Sequence, residues 1–509
     1  MISFVIALLA LVAGYFIYGK IVERVFAPDK RPTPATLMAD GVDYMVLPNW
    51  KVYMIQFLNI AGTGPVFGAI MGAWYGPASY VWIVLGSIFA GAVHDYLSGM
   101  LSMRFNGAGL PKLIGMFLGN GMKQVMLVFS VFLLLMVGAV FVYSPALLLK
   151  DFCFDTLTWV LLIFLYYIFA TMLPIDKLIG KLYPLFAFAL IFMALALLVV
   201  LFVKMPPIPE LWSNLPACNL NEPTSLLGTD SFVTRNPIFP CMFITIACGA
   251  ISGFHATQSP LMARCLKSEG MGRPIFYGAM ITEGVVALIW ASVSSYFFYC
   301  GGWREVVDAN MVQDFLSQAG TENGKTLIQY FSAPTVVQQV CTGWLGMLGG
   351  LLAVLGVVAA PITSGDTALR SARLIIAESF HIGQQKLSKR FLIAIPMFVM
   401  VIALLVWQME NPDGFNALWL WFGWANQTLS VFTLWALTVY LARHHKPFVI
   451  TLLPALLMTV VCSSYLLFRL NAFNLGYTFY IALGCGLTGV VCLFFINWYR
   501  KFNHNNCKK

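Results

Sequence analysis

Thirteen apolar stretches, each long enough to cross a hydrocarbon core of ~30 Å, follow one another along this sequence. They leave little choice of fold, because in lipid every backbone amide and carbonyl must be bonded within the chain, as in a helix. Composition agrees, since 60% of the 509 residues are hydrophobic, 10% are charged, and the mean hydropathy is +0.82. We therefore predict an all-α polytopic membrane protein. The predicted spans are 2–18, 56–75, 78–103, 122–149, 156–173, 182–203, 240–262, 275–299, 335–362, 391–408, 415–441, 449–468 and 478–499.

The basic residues indicate how these spans are oriented. With the N-terminus outside, 24 of the 30 Lys and Arg residues fall in alternate loops, with Arg370 and Arg373 among them. The positive-inside rule assigns those loops to the cytoplasm, together with the C-terminal tail. Insertion topology thus accounts for the net charge of +9 without a nucleic-acid partner. The two longest loops, 204–238 and 300–334, fall outside, where we expect lids or packing loops.

Two of the predicted spans are interrupted by glycine, proline and polar residues. One contains FLNIAGTGPVFGA at 57–69, and the other contains IACGAISGFHATQSPLMAR at 246–264. Paired interruptions in the two halves of a chain indicate the substrate site of a transporter. The alternative is a pair of kinked helices whose small residues pack against neighbours. The substrate-binding candidates are Asn59, Gly62, Thr63, Gly64, Gly249, Ser252, Gly253, His255 and Gln258.

The interrupted spans also divide the chain. Each opens a block of five spans, and because five is odd the second block must insert upside down relative to the first. We therefore predict a 5+5 inverted repeat with one leading and two trailing helices. The expected regions are a leading helix and cytoplasmic loop (1–55), the first repeat (56–203), an external loop (204–239), the second repeat (240–441) and two trailing helices with a cytoplasmic tail (442–509).

Three carboxylates fall within the bilayer or at its edge: Asp95, Glu283 and Asp366. A charge there is costly, so each is a candidate for ion coupling. Asp366 follows Thr363 and Ser364, and this oxygen-rich patch suits Na⁺ or a carboxylate that takes up protons. The alternative is an ion pair with Arg370 or Arg373, which lie four and seven residues further on.

The other two carboxylates have different surroundings. Asp95 follows His94, whose titration near neutral pH suits proton coupling, although a buried histidine bonded to a carbonyl is equally compatible. Glu283 lies in the first turns of its span, where it is either functional or merely interfacial. His255 lies within the second interruption, and there it could hold a substrate carboxylate near a half-helix N-terminus.

Other chemistry finds little support in the sequence. The run WLWFGWANQTL is expected to pack through its tryptophans, while Asn426 and Gln427 could reach a central cavity. No P-loop, nucleophile elbow or HExxH motif occurs, so we predict neither an enzyme nor an ATP-driven pump. Eleven cysteines lack metal-binding spacing, so no cofactor or metal other than sodium is expected. A disulfide among Cys153, Cys218 and Cys300 stays open.

Five segments, taken in order, give a family resemblance: FLNIAGTGPVFGAI, FAGAVHDYLSGMLSMR, CGAISGFHATQSPLMAR, APITSGDTALRSARLI and FGWANQTL. They resemble the carbon starvation protein A family, of which this chain resembles a shorter member. It departs from the family pattern at Gln56, where many relatives have His, and at Thr63, where Ala is commoner. The resemblance implies a bacterial inner-membrane uptake carrier that serves during nutrient limitation. It also implies a leucine-transporter-like fold, in which an ion site would join Ala61 and Gly62 to Thr363 and Ser364.

The resemblance also implies the substrate class, since some members are pyruvate–proton symporters and others take up peptides. We favour a small carboxylate such as pyruvate, imported by proton or sodium symport, because few midplane carboxylates are available to bind a peptide amine. A nutrient sensor would need a soluble domain, for which the spans leave no room. A channel fits the midplane carboxylates less well than a carrier does. The partners expected are the lipid bilayer and a small-molecule substrate, and the oligomeric state stays open.

Overall fold

The computed structural model describes residues 1–41, 43–150, 154–173, 175–212, 224–319, 325–411, 414–471 and 474–506. Within these ranges the regular structure is entirely helical, which confirms the predicted class. Nine helical segments of the described residues, some of which join consecutive helices, are long and apolar enough to cross a membrane. A tenth span is formed if Asn49–Ile60 and Thr63–Tyr75, which meet at a bend of 45°, are counted together.

The first half of the chain includes the first interrupted span. The N-terminal helix is followed at once by a short second helix. The helices are α1 Ile2–Phe16, α2 Tyr18–Phe26, α3 Pro34–Leu37, α4 Asn49–Ile60, α5 Thr63–Gly72, α6 Ala78–Gly86, α7 Ala92–Arg104, α8 Leu110–Leu118, α9 Asn120–Leu149, α10 Thr156–Met172 and α11 Ile175–Lys204.

The helices of the second half include short ones in both of the long loops that are predicted to lie outside. The helices are α12 Thr224–Leu227, α13 Thr229–Arg235, α14 Phe243–Thr245, α15 His255–Ala263, α16 Gly278–Tyr299, α17 Gly302–Val306, α18 Ala309–Ala319, α19 Leu327–Tyr330, α20 Ala333–Ser379, α21 Leu387–Glu410, α22 Gly414–Arg443, α23 Val449–Arg469 and α24 Tyr477–Asn506.

Three of the thirteen predicted spans do not appear among these ten. The segment 240–262 is not one helix, because it unwinds between α14 and α15. Helix α10 is apolar but only 17 residues long. Helix α22 is 30 residues long, but it contains Asn426 and Gln427, which lower its hydropathy. The count of thirteen is therefore not reached, and the inverted repeat stays a prediction.

Two helix boundaries differ from the predicted ones. Helix α4 begins at Asn49, one to two turns before the predicted start at 56. Helix α20 continues to Ser379 beyond the predicted end at 362, with a break at Gly346, where φ is +69°. This extension corrects the assignment of Arg370 and Arg373 to a loop, because both lie in α20 and are fully buried.

The two interrupted spans pack closely against each other through small residues. A Cβ atom at Gly64 would lie 2.4 Å from Cys248 Sγ, and one at Gly68 would lie 2.8 Å from the carbonyl oxygen of Thr245. Helices α7, α16 and α20 contact these spans and enclose them. Because lipid supplies little hydrophobic drive between helices, such close approach is a main source of helix association. The enclosed region is where the candidate site lies.

Of the three cysteines considered for a disulfide, Cys300 is buried, while Cys153 and Cys218 lie outside the described residues.

The predicted orientation of the bundle can be tested directly. Reporter fusions after Lys30, Met205 and Asn506 should read inside, outside and inside, because the alternate loops that collect most of the basic residues then face the cytoplasm. Paired alkaline phosphatase and fluorescent protein fusions at each point measure this. Reversal at one point only would show a miscounted span, whereas reversal at all three would show that the orientation is opposite to the predicted one.

Candidate functional site

The first interruption lies between α4 and α5. The helix stops at Ile60, Ala61 and Gly62 leave helical geometry, and α5 begins at Thr63. The carbonyl oxygens of Leu58 and Asn59 accept the hydroxyl of Ser364, at 3.1 Å each. Ser364 thus joins α20 to the carbonyls at the end of α4, so the structure brings it beside Ala61 and Gly62.

Thr363 is placed differently from its neighbour. Its hydroxyl donates to the carbonyl oxygens of Ala359 and Ala360 in its own helix, each at 2.9 Å. Only Ser364 therefore faces the break. Its oxygen and the two carbonyls of α4 are ligands of the kind hard cations prefer. Among the described residues, no group of three or more His, Cys, Asp or Glu could hold a metal ion.

The second interruption is the unwound stretch from Ile246 to Phe254, and α22 holds its backbone. The side-chain oxygen of Asn426 accepts the amide of Phe254 at 2.7 Å and the hydroxyl of Ser252 at 3.0 Å. The side-chain amide of Gln427 donates to the carbonyl of Ile251 at 2.7 Å. Unwound backbone needs such partners, because unpaired amides and carbonyls are costly away from water. These two amides therefore support the break instead of merely lining a cavity.

A chain of buried ionisable groups crosses from α7 through α15 to α16. The two oxygens of Asp95 contact Nδ1 of His94 and Nδ1 of His255, each at 2.8 Å. Nε2 of His255 lies 3.5 Å from a carboxylate oxygen of Glu283. All four side chains are fully buried. Glu283 is therefore buried inside the helix bundle, beside His255.

Several buried polar atoms near the interruptions have no hydrogen-bond partner. They belong to Gln56 and Asn59 at the end of α4, to Thr63 at the start of α5, and to Glu283 on α16. Tyr53, one turn before Gln56, bonds Thr282 at 2.7 Å, which places Gln56 on the side of α4 that meets α16. Buried polar groups are nearly always satisfied, so these atoms are candidates to bind a polar ligand or water.

Gln258 and Ser252, in contrast, have hydrogen-bond partners. The amide nitrogen of Gln258 donates to Thr257, and its oxygen lies 3.5 Å from the hydroxyl of Ser371. Ser252 bonds Asn426, as described above. Gly249 contributes its carbonyl, which accepts the hydroxyl of Ser87 at 3.0 Å. These residues therefore stabilise the second interruption and its contacts with Ser87 between α6 and α7, with α20 and with α22.

Asp366 lies in a different environment, lined by tyrosines. Tyr166 donates to its Oδ2 at 2.8 Å, whereas Oδ1 has no hydrogen-bond partner. Tyr183 donates to the carbonyl of Thr363 at 2.9 Å. Arg370 and Arg373 form their ion contacts with Asp43, so the suspected ion pair with Asp366 is not formed. Sequence reasoning missed these tyrosines, because nothing in the spacing of α10 and α11 links them to α20.

The comparisons with known proteins cover most of the chain. The family model described as "Carbon starvation protein CstA" matches residues 1–144 and 142–464. A protein of Haemophilus influenzae called "Uncharacterized membrane protein" is 46% identical over 341 residues, which are 58% of this chain and 91% of that protein. The "Peptide transporter CstA" of Bacillus subtilis is 27% identical over 84% of this chain and 83% of its own. The protein of the same name in Escherichia coli is 26% identical over 84% of this chain and 75% of its own.

A solved structure also resembles this fold. The Eremococcus coleocola manganese transporter superposes with a TM-score of 0.53 at 12% identity, covering 91% of this chain and 99% of that one. At this identity the likeness concerns the fold alone. It supports a membrane-transporter architecture. With the family model matching well over half of the sequence, the chain belongs to the carbon starvation protein CstA family.

Proposed function

We propose that this protein is a secondary active transporter that imports a small carboxylate, pyruvate in the first instance, by ion symport. The observation that carries the proposal is the first interruption. The N-terminus of α5 carries positive partial charge and unpaired amides, which attract a carboxylate. Thr63 at that terminus and Asn59 just before it have unpartnered polar atoms that could bind the same group. A bacterial inner-membrane location goes with this proposal.

We infer that the coupling ion is a proton. The chain His94–Asp95–His255–Glu283 links the second interruption to two flanking helices through contacts of 2.8, 2.8 and 3.5 Å. Histidines and carboxylates in contact can exchange a proton, and such chains occur in proton-driven transporters. Sodium is the alternative, and its site would be at Ser364 and the two carbonyls of α4.

A second candidate substrate is a short peptide. Glu283 is a buried carboxylate without a hydrogen-bond partner, and it could pair with a peptide amine. The sequence-based argument against peptides rested on a shortage of midplane carboxylates, and Glu283 weakens that argument. The relatives in Bacillus subtilis and Escherichia coli carry the name peptide transporter.

Uptake by the purified protein in proteoliposomes tests both candidates. Under an inward proton gradient we expect labelled pyruvate to accumulate and excess dialanine to leave that uptake unchanged. Counterflow of labelled against unlabelled pyruvate should persist without a gradient, because a carrier exchanges its substrate. Accumulation of dialanine with no pyruvate uptake would reject the small-carboxylate proposal in favour of peptides. A sodium gradient that drives uptake at constant pH would reject proton coupling.

A further inference from the structure

Two buried arginines lie beyond the candidate site, toward the predicted cytoplasmic end of α20. Arg370 and Arg373 are both fully buried. Nη1 of Arg370 and Nη2 of Arg373 lie 3.7 and 3.9 Å from Oδ1 of Asp43, respectively. One carboxylate thus faces two guanidinium groups. Arg264 and Arg390 add positive potential to the same region.

The two guanidinium groups are only partly satisfied. Arg370 donates to the backbone carbonyls of Ala170 and Leu173 at 2.6 and 2.7 Å, and Arg373 bonds Gln384. The remaining nitrogens that face Asp43, and Oδ1 of Asp43 itself, have no hydrogen-bond partner. Buried charges are normally both paired and hydrogen-bonded. The interaction of Asp43 with the two guanidinium groups is therefore weak, because it consists of ion contacts without hydrogen bonds.

Asp43 belongs to a short extended segment, residues 43–47, that covers the end of α15. The amides of Met45 and Leu47 donate to the carbonyls of Arg264 and Cys265 at 3.2 and 3.1 Å. Cys265 is fully buried. A cavity of about 400 Å³ adjoins the segment and is lined in part by Asp43, Arg264 and Gln384.

The arginines are also close to the candidate site. Ser371 follows Arg370 in the same turn of α20, and its hydroxyl donates to the carbonyl of Thr257 on α15 at 3.2 Å. Its hydroxyl lies 3.5 Å from Gln258, one of the proposed substrate-site residues. The cavity wall contains two more carboxylates, and both are engaged elsewhere. Glu378 pairs with Lys112 at 3.2 Å and accepts the amide of Gly109. Asp40 accepts the amides of Asp43 and Tyr44.

We propose that Arg370 and Arg373 form an anion-binding site on the exit side of the substrate pathway. Asp43 occupies it while segment 43–47 is closed, and a carboxylate of the transported molecule occupies it when the segment moves away. Separation of Asp43 would otherwise leave two buried positive charges uncompensated, which strongly disfavours opening. Guanidinium groups bind carboxylates in planar, two-point geometry, so a small carboxylate suits the place. This inference rests on the proposed import of a carboxylate.

The test uses the full-length protein and two readouts that need no transport. The first is the alkylation rate of Cys265 in inside-out vesicles, quantified by mass spectrometry. Asp43→Asn should raise this rate by about fivefold or more, because the segment loses its charged anchor. Asp29→Asn, which removes an exposed charge paired with Arg31 in the same region, should leave it unchanged. An Asp43→Asn rate equal to that of the wild type overturns the role of Asp43.

The second readout is thermal unfolding of purified protein in acetate, with acetamide as the uncharged control. In Asp43→Asn, acetate should raise the Tm saturably and more than in Asp29→Asn, because it replaces the missing carboxylate. The added stabilisation should vanish in Asp43→Asn/Arg373→Gln. If it persists there, the anion binds elsewhere and the site assignment is wrong. If Asp43→Asn does not accumulate in the membrane, Arg373→Gln alone should raise Cys265 alkylation, and an unchanged rate would contradict the proposal.

These outcomes separate the anion site from the substrate assignment. Acetate stabilisation together with an absence of pyruvate uptake would retain the site and reject pyruvate. Pyruvate uptake without any acetate effect in Asp43→Asn would retain pyruvate as the substrate and reject the anion site.

Discussion

Replacing Asp95 by Asn is expected to abolish uphill accumulation of substrate while exchange without a gradient continues. Asp95 is the only one of the four chain members that contacts both histidines, with 2.8 Å to each. The amide keeps the shape of the carboxylate but neither titrates nor carries charge. Hydrogen bonds to a charged group contribute ~1.5–3 kcal/mol, so coupling should fall by about ten- to a hundredfold.

The measurement is accumulation of labelled substrate in proteoliposomes under an imposed pH gradient, divided by its rate of counterflow. Asp366→Asn is the matched control, because it also removes a buried carboxylate from a bilayer position. Asp366 was also a coupling candidate from the sequence, but the side chains that contact its carboxylate are the tyrosines Tyr166 and Tyr183, not histidines. A tyrosine hydroxyl holds its proton at neutral pH and is a poor relay. Loss of accumulation in Asp366→Asn with normal accumulation in Asp95→Asn would show that Asp366, not Asp95, is the coupling residue.

The sequence predicted the helical class and the two breaks for physical reasons that are local. Apolar stretches of sufficient length must form helices in lipid, and glycine or proline at membrane depth interrupts them. Both interruptions occur in the structure, at Ala61–Gly62 and between Ile246 and Phe254. Hydropathy does not identify a membrane span that contains several polar residues or an unwound stretch. The segments that fall outside the ten spans include the unwound 240–262 and the amide-bearing α22.

The partners within the site could not be predicted, because they depend on which helices become neighbours. His94 and Asp95 are adjacent in sequence, but His255 and Glu283 come from two other helices, and no spacing connects the three. The same applies to Asn426, which lies far along the chain from the backbone it supports. Glu283 received both a functional and an interfacial interpretation because it lies early in its predicted span. The segment Glu269–Tyr299, however, is 31 residues long, so Glu283 lies well inside it.

Replacing Gly253 by Ala is expected to remove transport and to lower the amount of folded protein. The added Cβ would lie 2.4 Å from the carbonyl oxygen of Asn426 and 2.4 Å from the amide nitrogen of Ser430. Both atoms belong to the backbone of α22, which cannot move aside as a side chain could. Overpacking of this kind typically costs ~1–3 kcal/mol, and here it also displaces Asn426 from the unwound stretch.

Alanine at the other three glycines of the two breaks should impair transport less than alanine at Gly253. The size of each effect should depend on how easily the neighbouring atoms can move. At Gly64 and Gly249 the new methyl group would meet the side chains of Cys248 and Ala287, at 2.4 and 2.6 Å. At Gly62 it would meet Ser364 Oγ at 3.2 Å, which a small shift relieves. We therefore expect Gly62→Ala to retain the most transport of the four variants.

Gly423→Ala on α22 is the matched control, because its nearest contact would be 3.6 Å from Ile244, an ordinary van der Waals distance. Initial transport rates, normalised to folded protein by fluorescence-detected size-exclusion chromatography, measure the series. Gly423→Ala should transport like the wild type. If Gly253→Ala does so as well at normal expression, the contact between the second break and α22 does not position the substrate site. A uniform loss in all five variants would show that this bundle tolerates no added methyl group, and the order expected from the contact distances would be wrong.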